Sequence, residues 1–259
     1  MAPAPSMPAA GSGVVSVPPR PVAATAFRVT RLRLYDPHLY LGATDITEQP
    51  VLGVSVNGAL IPDALTTDAD DDGHLDLSII LLLSPFDPSA PTAELTLVEA
   101  HCPVSGTTAC SRSPTSALQT VFRAENHAAG TCSTTLPPPN TVGQPALVLP
   151  SAPCYAAVAA SSLTINLGGI AIPVIAGQMS AAYRTQPSAR LVSGLIGGFV
   201  TREVAMRAIL PPQTQPPLAG TALSDYVRLR DYDLASSPTM QDGFWLYMTF
   251  EAEPINYTP

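Results

Sequence analysis

Residues 244–251 read FWLYMTFE, and this stretch carries the clearest structural signal in the chain. Large apolar side chains stand at every second position, with Trp245, Tyr247, Thr249 and Glu251 between them. Side chains alternate between the two faces of a β-strand, so this period of two predicts a strand with one face in a core.

Other strand signals precede it along the chain. Residues 27–34 alternate with one slip in phase, residues 94–99 alternate again, and residues 75–83 are almost continuously apolar, as in a strand buried on both faces. Charged residues make up only 12% of the chain, and its 29 prolines favour turns and extended connections over long helices. We therefore expect a mainly β fold, a β-sandwich or jelly-roll-like domain.

One amphipathic helix is expected near residues 188–210. Leu191, Leu195, Phe199 and Met206 fall near one helical stripe, and two prolines at 211 and 212 supply a stop signal. Glycines within the segment weaken the helix and indicate close backbone packing.

The chain divides into an arm and a domain. Residues 1–25 are rich in proline and alanine and are expected to form a flexible or extended arm. Residues 26–259 are expected to form a single β-rich domain, with an internal linker possible at 135–150, where three prolines follow one another.

Residues 68–76 read DADDDGHLD, an acidic loop with regular spacing. Asp68, Asp70, Asp72 and Asp76 occupy loop positions 1, 3, 5 and 9, and a glycine stands at position 6, where a calcium loop turns sharply. The loop resembles those of EF-hands, dockerins and thrombospondin-type calcium repeats. It departs from them at position 12, where Ile79 replaces a bidentate acid.

The acidic loop predicts a Ca²⁺ site. Asp68, Asp70, Asp72 and Asp76 would supply carboxylate oxygens, and His74 at position 7 would supply its backbone carbonyl. Acids near the C-terminus, at 231, 233 and 242, are candidates for completing the shell. The alternative is an acidic surface turn, because aspartate and glycine favour turns for backbone reasons.

Four cysteines lie at 102, 110, 132 and 154, and no pair has the Cys-x-x-Cys spacing of a zinc site. An even number of cysteines, in a chain that also has a calcium-type loop, indicates two disulfides and an extracellular or cell-surface location. Of the three connectivities, we favour Cys102 with Cys110 and Cys132 with Cys154, each closing a local loop. Four reduced, buried cysteines are the alternative.

Composition excludes several functions. The chain has no lysine, which excludes Schiff-base chemistry and a P-loop, and its net charge of −8 argues against nucleic acid. Residues 156–179 are uncharged, but polar residues, glycines and a proline interrupt them, so we expect no transmembrane segment. We find no catalytic motif and do not expect an enzyme.

The leading functional hypothesis is an extracellular structural or surface-assembly protein stabilised by calcium, for example a subunit of a polymer or surface layer. The arm and the uncharged block at residues 126–183 would make a homo-oligomer or polymer. The second hypothesis is a carbohydrate- or ligand-binding β-sandwich module that uses Trp245, Tyr247 and nearby acids. A secreted hydrolase is the third.

Overall fold

The computed structural model describes twelve strands, two short α-helices, a π-helical turn at Val56–Leu60 and a 3-10 turn at Leu223–Asp225. The described residues are 24–51, 53–106, 108–113, 119–132, 136–137, 147–158, 161–167, 170–212, 214, 216–228, 232 and 237–259. The strands are β1 Thr25–Asp36, β2 Tyr40–Leu41, β3 Thr44–Asp45, β4 Ile79–Ser84, β5 Thr92–His101, β6 Ala109–Arg112, β7 Gln119–His127, β8 Cys154–Ala157, β9 Ser161–Leu167, β10 Ile170–Arg184, β11 Arg190–Thr201 and β12 Gly243–Thr258. The helices are α1 Ile61–Thr66 and α2 Arg202–Arg207.

Eight strands form one sheet that closes on itself. Around the circle the order is β1, β4, β5, β7, β8, β10, β11 and β12, and β12 pairs with β1 to complete it. Every pair in the circle is antiparallel. Outside it, β9 pairs with the first half of β10, and β6 bridges β5 and the end of β12.

The prediction of a mainly β fold is confirmed, but the strands do not form the two facing sheets of a sandwich. Three long strands, β1, β10 and β12, have 12, 15 and 16 residues and each contacts two or more neighbours. Register shifts between Val29 and Arg31 and between Ile175 and Gln178 mark bulges. Bulges bend and twist a strand, which allows one sheet to curl into a closed cylinder.

The predicted helix near residues 188–210 is wrong. Residues 190–201 form β11, and only the six residues of α2 that follow are helical. A spacing of four, as between Leu195 and Phe199, places residues on one side of a helix and also on one face of a strand. A register shift between Leu191 and Gly194 puts Leu191 out of phase with these two. All three are buried, whereas Met206 on α2 is 50% exposed.

One end of the closed sheet is filled by aromatic side chains. Phe86 makes edge contacts with Phe27 and Tyr183, at ring-centroid distances of 5.2 and 5.5 Å, and Tyr155 lies 5.1 Å from Tyr183. The Tyr155 hydroxyl donates to the carbonyl of Asp87. Burial, followed by the nearby Tyr183, raises the pKa of Tyr155 to about 12. These contacts seal the end where β1 begins and β10 ends.

The predicted disulfides are confirmed: Cys102 bonds Cys110, and Cys132 bonds Cys154. The described part of the uncharged block 126–183 forms the end of β7 and then β8, β9 and β10. Among the described residues, no helix has the length and apolar character needed to span a bilayer. Residues 1–23 of the predicted arm and most of the predicted linker 135–150 lie outside the described residues.

Candidate functional site

The other end of the closed sheet contains an apolar cavity of about 430 Å³. Its floor and walls come from β1, β10 and β12, where each strand begins or ends. The lining residues from these strands are Leu34, Ile170, Ile172, Phe244, Leu246 and Met248. The volume falls within the range of about 300–1,000 Å³ that is typical of small-molecule sites.

Loop segments and α1 cover this end of the sheet. Ile61 and Ala64 of α1 and Leu77 line the cavity from one segment, and Leu210, Leu218 and Tyr226 line it from another. Pro62 in the first turn fixes the start of α1, because the missing proline N–H is not needed there. Of the described lining residues, three are exposed to solvent: Asp63, Thr67 and Ala69. The cavity therefore opens beside α1 and the acidic loop.

A small hairpin braces the far wall of the cavity. β2 and β3 form this hairpin, and the Tyr40 amide donates to the carbonyl of Tyr226, a lining residue. The Arg228 guanidinium lies 3.4 Å from the centre of the Tyr40 ring and donates to the carbonyl of Ala43. A cation on an aromatic face and a charged hydrogen bond both favour this arrangement.

The hairpin rests on a buried histidine and an aspartate. His38 is 3% exposed, and its Nδ1 lies 2.5 Å from Oδ2 of Asp45. The other carboxylate oxygen of Asp45 accepts from the Thr47 amide. Burial raises the pKa of Asp45, but hydrogen bonds from Thr47 and His38 outweigh it and leave the pKa below its ordinary value.

Three of the four predicted calcium carboxylates converge in the acidic loop. Oxygens of Asp68, Asp70 and Asp76 lie within 4.8 Å of one another. Backbone amides hold two of them: Gly73 and Asp72 donate to Asp68, and Ala69 donates to Asp76 at 2.9 Å. Desolvation, followed by the negative charge of Asp72, raises the pKa of Asp70 above its ordinary value. Such crowding of carboxylates is what a divalent cation relieves.

The other predicted carboxylates do not belong to this group among the described residues. Asp72 does not join it; its Oδ1 accepts from the His74 amide at 2.8 Å and lies 3.5 Å from the His74 ring. Ile79, at position 12, is buried at the start of β4. Asp242 lies 3.4 Å from Arg202, and residues 231 and 233 are outside the described residues.

The acidic loop is anchored to a disulfide. The Leu75 amide donates to the carbonyl of Cys102, and the Val104 amide donates to that of Gly73. The rings of His74 and His101 are in contact, with centroids 4.7 Å apart and planes tilted by 44°. The Cys102–Cys110 bond therefore closes the segment that holds one side of the loop.

The acidic loop and the cavity share residues. Asp76 belongs to the carboxylate group and also lines the cavity, and Ala69, whose amide it binds, is at the opening. Thr67 lines the cavity as well, and its hydroxyl donates to Asp76. The acidic loop is therefore one lip of the cavity.

Trp245 and Tyr247, the aromatic residues of the binding-module hypothesis, are not exposed on β12. Tyr247 is 1% exposed, and its hydroxyl donates to the carbonyl of Pro137, so residues 136–137 cover it. Burial raises the pKa of Tyr247. Trp245 is half-buried against Phe199, with ring centroids 5.4 Å apart.

A serine–histidine contact lies behind the acidic loop. Ser113 Oγ is 3.0 Å from Nε2 of His101. Ser113 is 2% exposed, so its hydroxyl is shielded from substrate. This arrangement braces the loop and lacks the exposed nucleophile that the hydrolase hypothesis needs.

Comparisons with protein-family models, curated proteins and solved structures found no match to this chain. The site is therefore defined by its own geometry. Sequence reasoning located the acidic loop and missed the cavity, because its lining comes from separate segments between residues 34 and 248. The one local signal near the cavity was Pro62, which favours the start of a helix and so could have predicted α1.

Proposed function

We propose that this protein binds a small, largely apolar molecule in the cavity at the end of the closed sheet. The observation that carries the proposal is an apolar cavity of about 430 Å³ that opens to solvent on one side. Closed antiparallel sheets of eight strands are wide enough to hold one small ligand. The proposal develops the ligand-binding hypothesis from the sequence and replaces a site at Trp245 and Tyr247 with an interior site.

The lining supports binding through the hydrophobic effect. Ile46, Leu218 and Phe244 are buried and line the cavity without a charged group between them. A ligand that buries about 300 Å² of apolar surface gains about 7 kcal/mol at ~25 cal/mol/Å². A dissociation constant of 1 μM corresponds to about 8.2 kcal/mol, and association also costs about 4 kcal/mol or more of translational and rotational freedom, so we expect dissociation constants well above micromolar, approaching millimolar.

Filling the cavity tests the proposal. Ala64 on α1 is a half-buried lining residue, so Ala64→Phe would place a ring in the space that a ligand needs. We expect the neutral fluorescent probe N-phenyl-1-naphthylamine to bind the wild-type protein with increased emission. Ala64→Phe should weaken this binding at least about tenfold, since the lost apolar contact amounts to more than about 1.4 kcal/mol.

Ala128→Phe is the matched control. Ala128 is exposed after β7 and does not line the cavity, so the same added ring should leave probe binding unchanged. Circular dichroism and melting temperature would show that both variants are folded. Absence of probe binding to the wild-type protein, or equal binding by Ala64→Phe, would contradict the proposal.

We also propose that the acidic loop binds Ca²⁺ and that the protein works outside the cell. The converging oxygens of Asp68, Asp70 and Asp76 favour the metal, with water completing a shell of six to eight oxygens. The two disulfides support an oxidising compartment. In this proposal the ion rigidifies one lip of the cavity, because Asp76 belongs to both.

Assembly is a separate proposal. The arm at residues 1–25 and the uncharged block at 126–183 would carry contacts between copies of this chain, as the surface-assembly hypothesis requires. What supports it is composition, since charged side chains normally discourage association and this block has none.

A further inference from the structure

The opening of the cavity has an uneven distribution of charge. Two acidic side chains, Asp63 and Asp76, line it, and no basic side chain does so among the described residues. Asp63 is exposed on α1 and Asp76 is half-buried in the acidic loop, whereas the deeper lining is aliphatic or aromatic. A ligand therefore meets an apolar interior and a negatively charged opening.

Two arginines of neighbouring elements make their contacts away from these carboxylates. Arg28 is 7% exposed, and its guanidinium donates to the carbonyl of Leu65 on the side of α1 that faces β1. Arg228 is engaged with the ring of Tyr40. Neither lines the cavity. Without bound Ca²⁺, the carboxylates of Asp68 and Asp70 beside Asp76 add to the negative potential at this lip, whereas a bound Ca²⁺ would offset part of it and leave Asp63 as the acid outside the metal group.

Building on the ligand-binding function proposed above, we propose that the cavity selects amphiphiles with a cationic end, such as an amine on an apolar chain, over those with a carboxylate. The apolar body would occupy the interior, and the ammonium group would remain at the opening near Asp63 and Asp76. A carboxylate there would meet only like charge. Charge at such a half-exposed opening affects affinity moderately, because water still screens it.

The test measures displacement of N-phenyl-1-naphthylamine by decylamine, decanol and decanoate. The three share one chain length and differ in the charge of the end group at neutral pH. Measurements use concentrations below aggregation, low salt and a chelator, so that no metal ion neutralises the loop. We expect decylamine to compete best and decanoate worst, with about a tenfold difference between them. High salt should reduce that difference.

Asp63→Asn should reduce the ratio of decylamine to decanoate affinity severalfold. Asparagine has nearly the same shape as aspartate. The hydrogen bond from the Thr67 amide goes to the backbone carbonyl of residue 63, so the substitution leaves it in place. Glu253→Gln is the matched control, since Glu253 is exposed on β12 outside the lining and its loss should leave the ratio unchanged.

The two proposals fail in different ways. If the probe does not bind at all, the ligand-binding function is wrong and the selectivity falls with it. If the probe binds in the cavity but decanoate competes as well as decylamine, or Asp63→Asn and Glu253→Gln change the ratio equally, only the charge selectivity is wrong.

Discussion

The ring of Phe250 on β12 lies directly over the backbone of Gly194 on β11. A Cβ atom at Gly194 would lie 2.1 Å from Cζ of Phe250. The two residues are paired in register, so the ring fills the space that a side chain would occupy. This contact fixes the separation of two strands in the closed sheet and explains why glycine occurs within β11.

Gly194→Ala should destabilise the fold. The added methyl group forces Phe250 out of place, and overpacking of this kind costs about 1–3 kcal/mol. Urea unfolding followed by circular dichroism would measure the loss. Ser193→Ala, at the half-buried neighbour, should change the free energy of unfolding by less than about 0.5 kcal/mol. Equal stability of the two variants would contradict the packing argument.

The Asp45–His38 contact predicts a dependence of stability on pH. The folded state lowers the pKa of Asp45. Ionisation of Asp45 therefore stabilises the fold above about pH 4, the ordinary pKa of aspartate. This contribution to stability is lost as pH falls through the lowered pKa. Asp45→Asn should therefore cost about 1–2 kcal/mol near neutral pH and progressively less in acid. Glu203→Gln, an exposed acid on α2, should show little loss at any pH. A loss for Asp45→Asn that is constant with pH would oppose this account.

Calcium should raise the melting temperature, because the unfolded chain has no preformed group of carboxylates. Asp70→Asn should remove most of that increase, whereas Asp87→Asn, at an exposed turn away from the loop, should retain it. Elemental analysis would give the stoichiometry. An unchanged melting temperature with and without chelator, and no bound metal, would exclude the calcium site.

The two disulfides should differ in their local effects. Replacing both cysteines by alanine should cost about 3 kcal/mol for Cys132–Cys154 and about 2.5 kcal/mol for Cys102–Cys110, from loop closure in the unfolded chain. Removal of Cys102–Cys110 alone should accelerate hydrogen exchange of the Leu75 amide, which donates to the Cys102 carbonyl. Equal exchange in both variants would show that the disulfide does not anchor the acidic loop.

Assembly can be tested by removing residues 1–23, which precede the start of β1. If the arm carries contacts between subunits, light scattering with calcium present should give a larger mass for the full chain than for the shortened one. Substituting glutamate for Val121, which is 45% exposed on β7 outside the arm, controls for general surface effects. A full chain that is monomeric at high concentration would exclude assembly.

Local patterns in the sequence determined the strand of residues 244–251, the disulfide pairs and the acidic loop. Each depends on neighbours in the chain: alternating side chains, short cysteine separations or regular aspartates. The segment at residues 190–201 was ambiguous, because a spacing of four fits a helix and a strand alike. This segment forms a strand because it pairs with β10 and β12, and because its glycines allow close contacts with those strands.

Tertiary structure alone decided the closure of the sheet and the cavity. Closure depends on β1 pairing with both β4 and β12, and residues of β12 lie more than 200 positions from β1. The cavity exists because aromatic side chains fill one end of the cylinder, while α1 and the described part of residues 210–226 cover the other end without filling it. Packing of this kind depends on distances between side chains far apart in sequence, which no local pattern encodes.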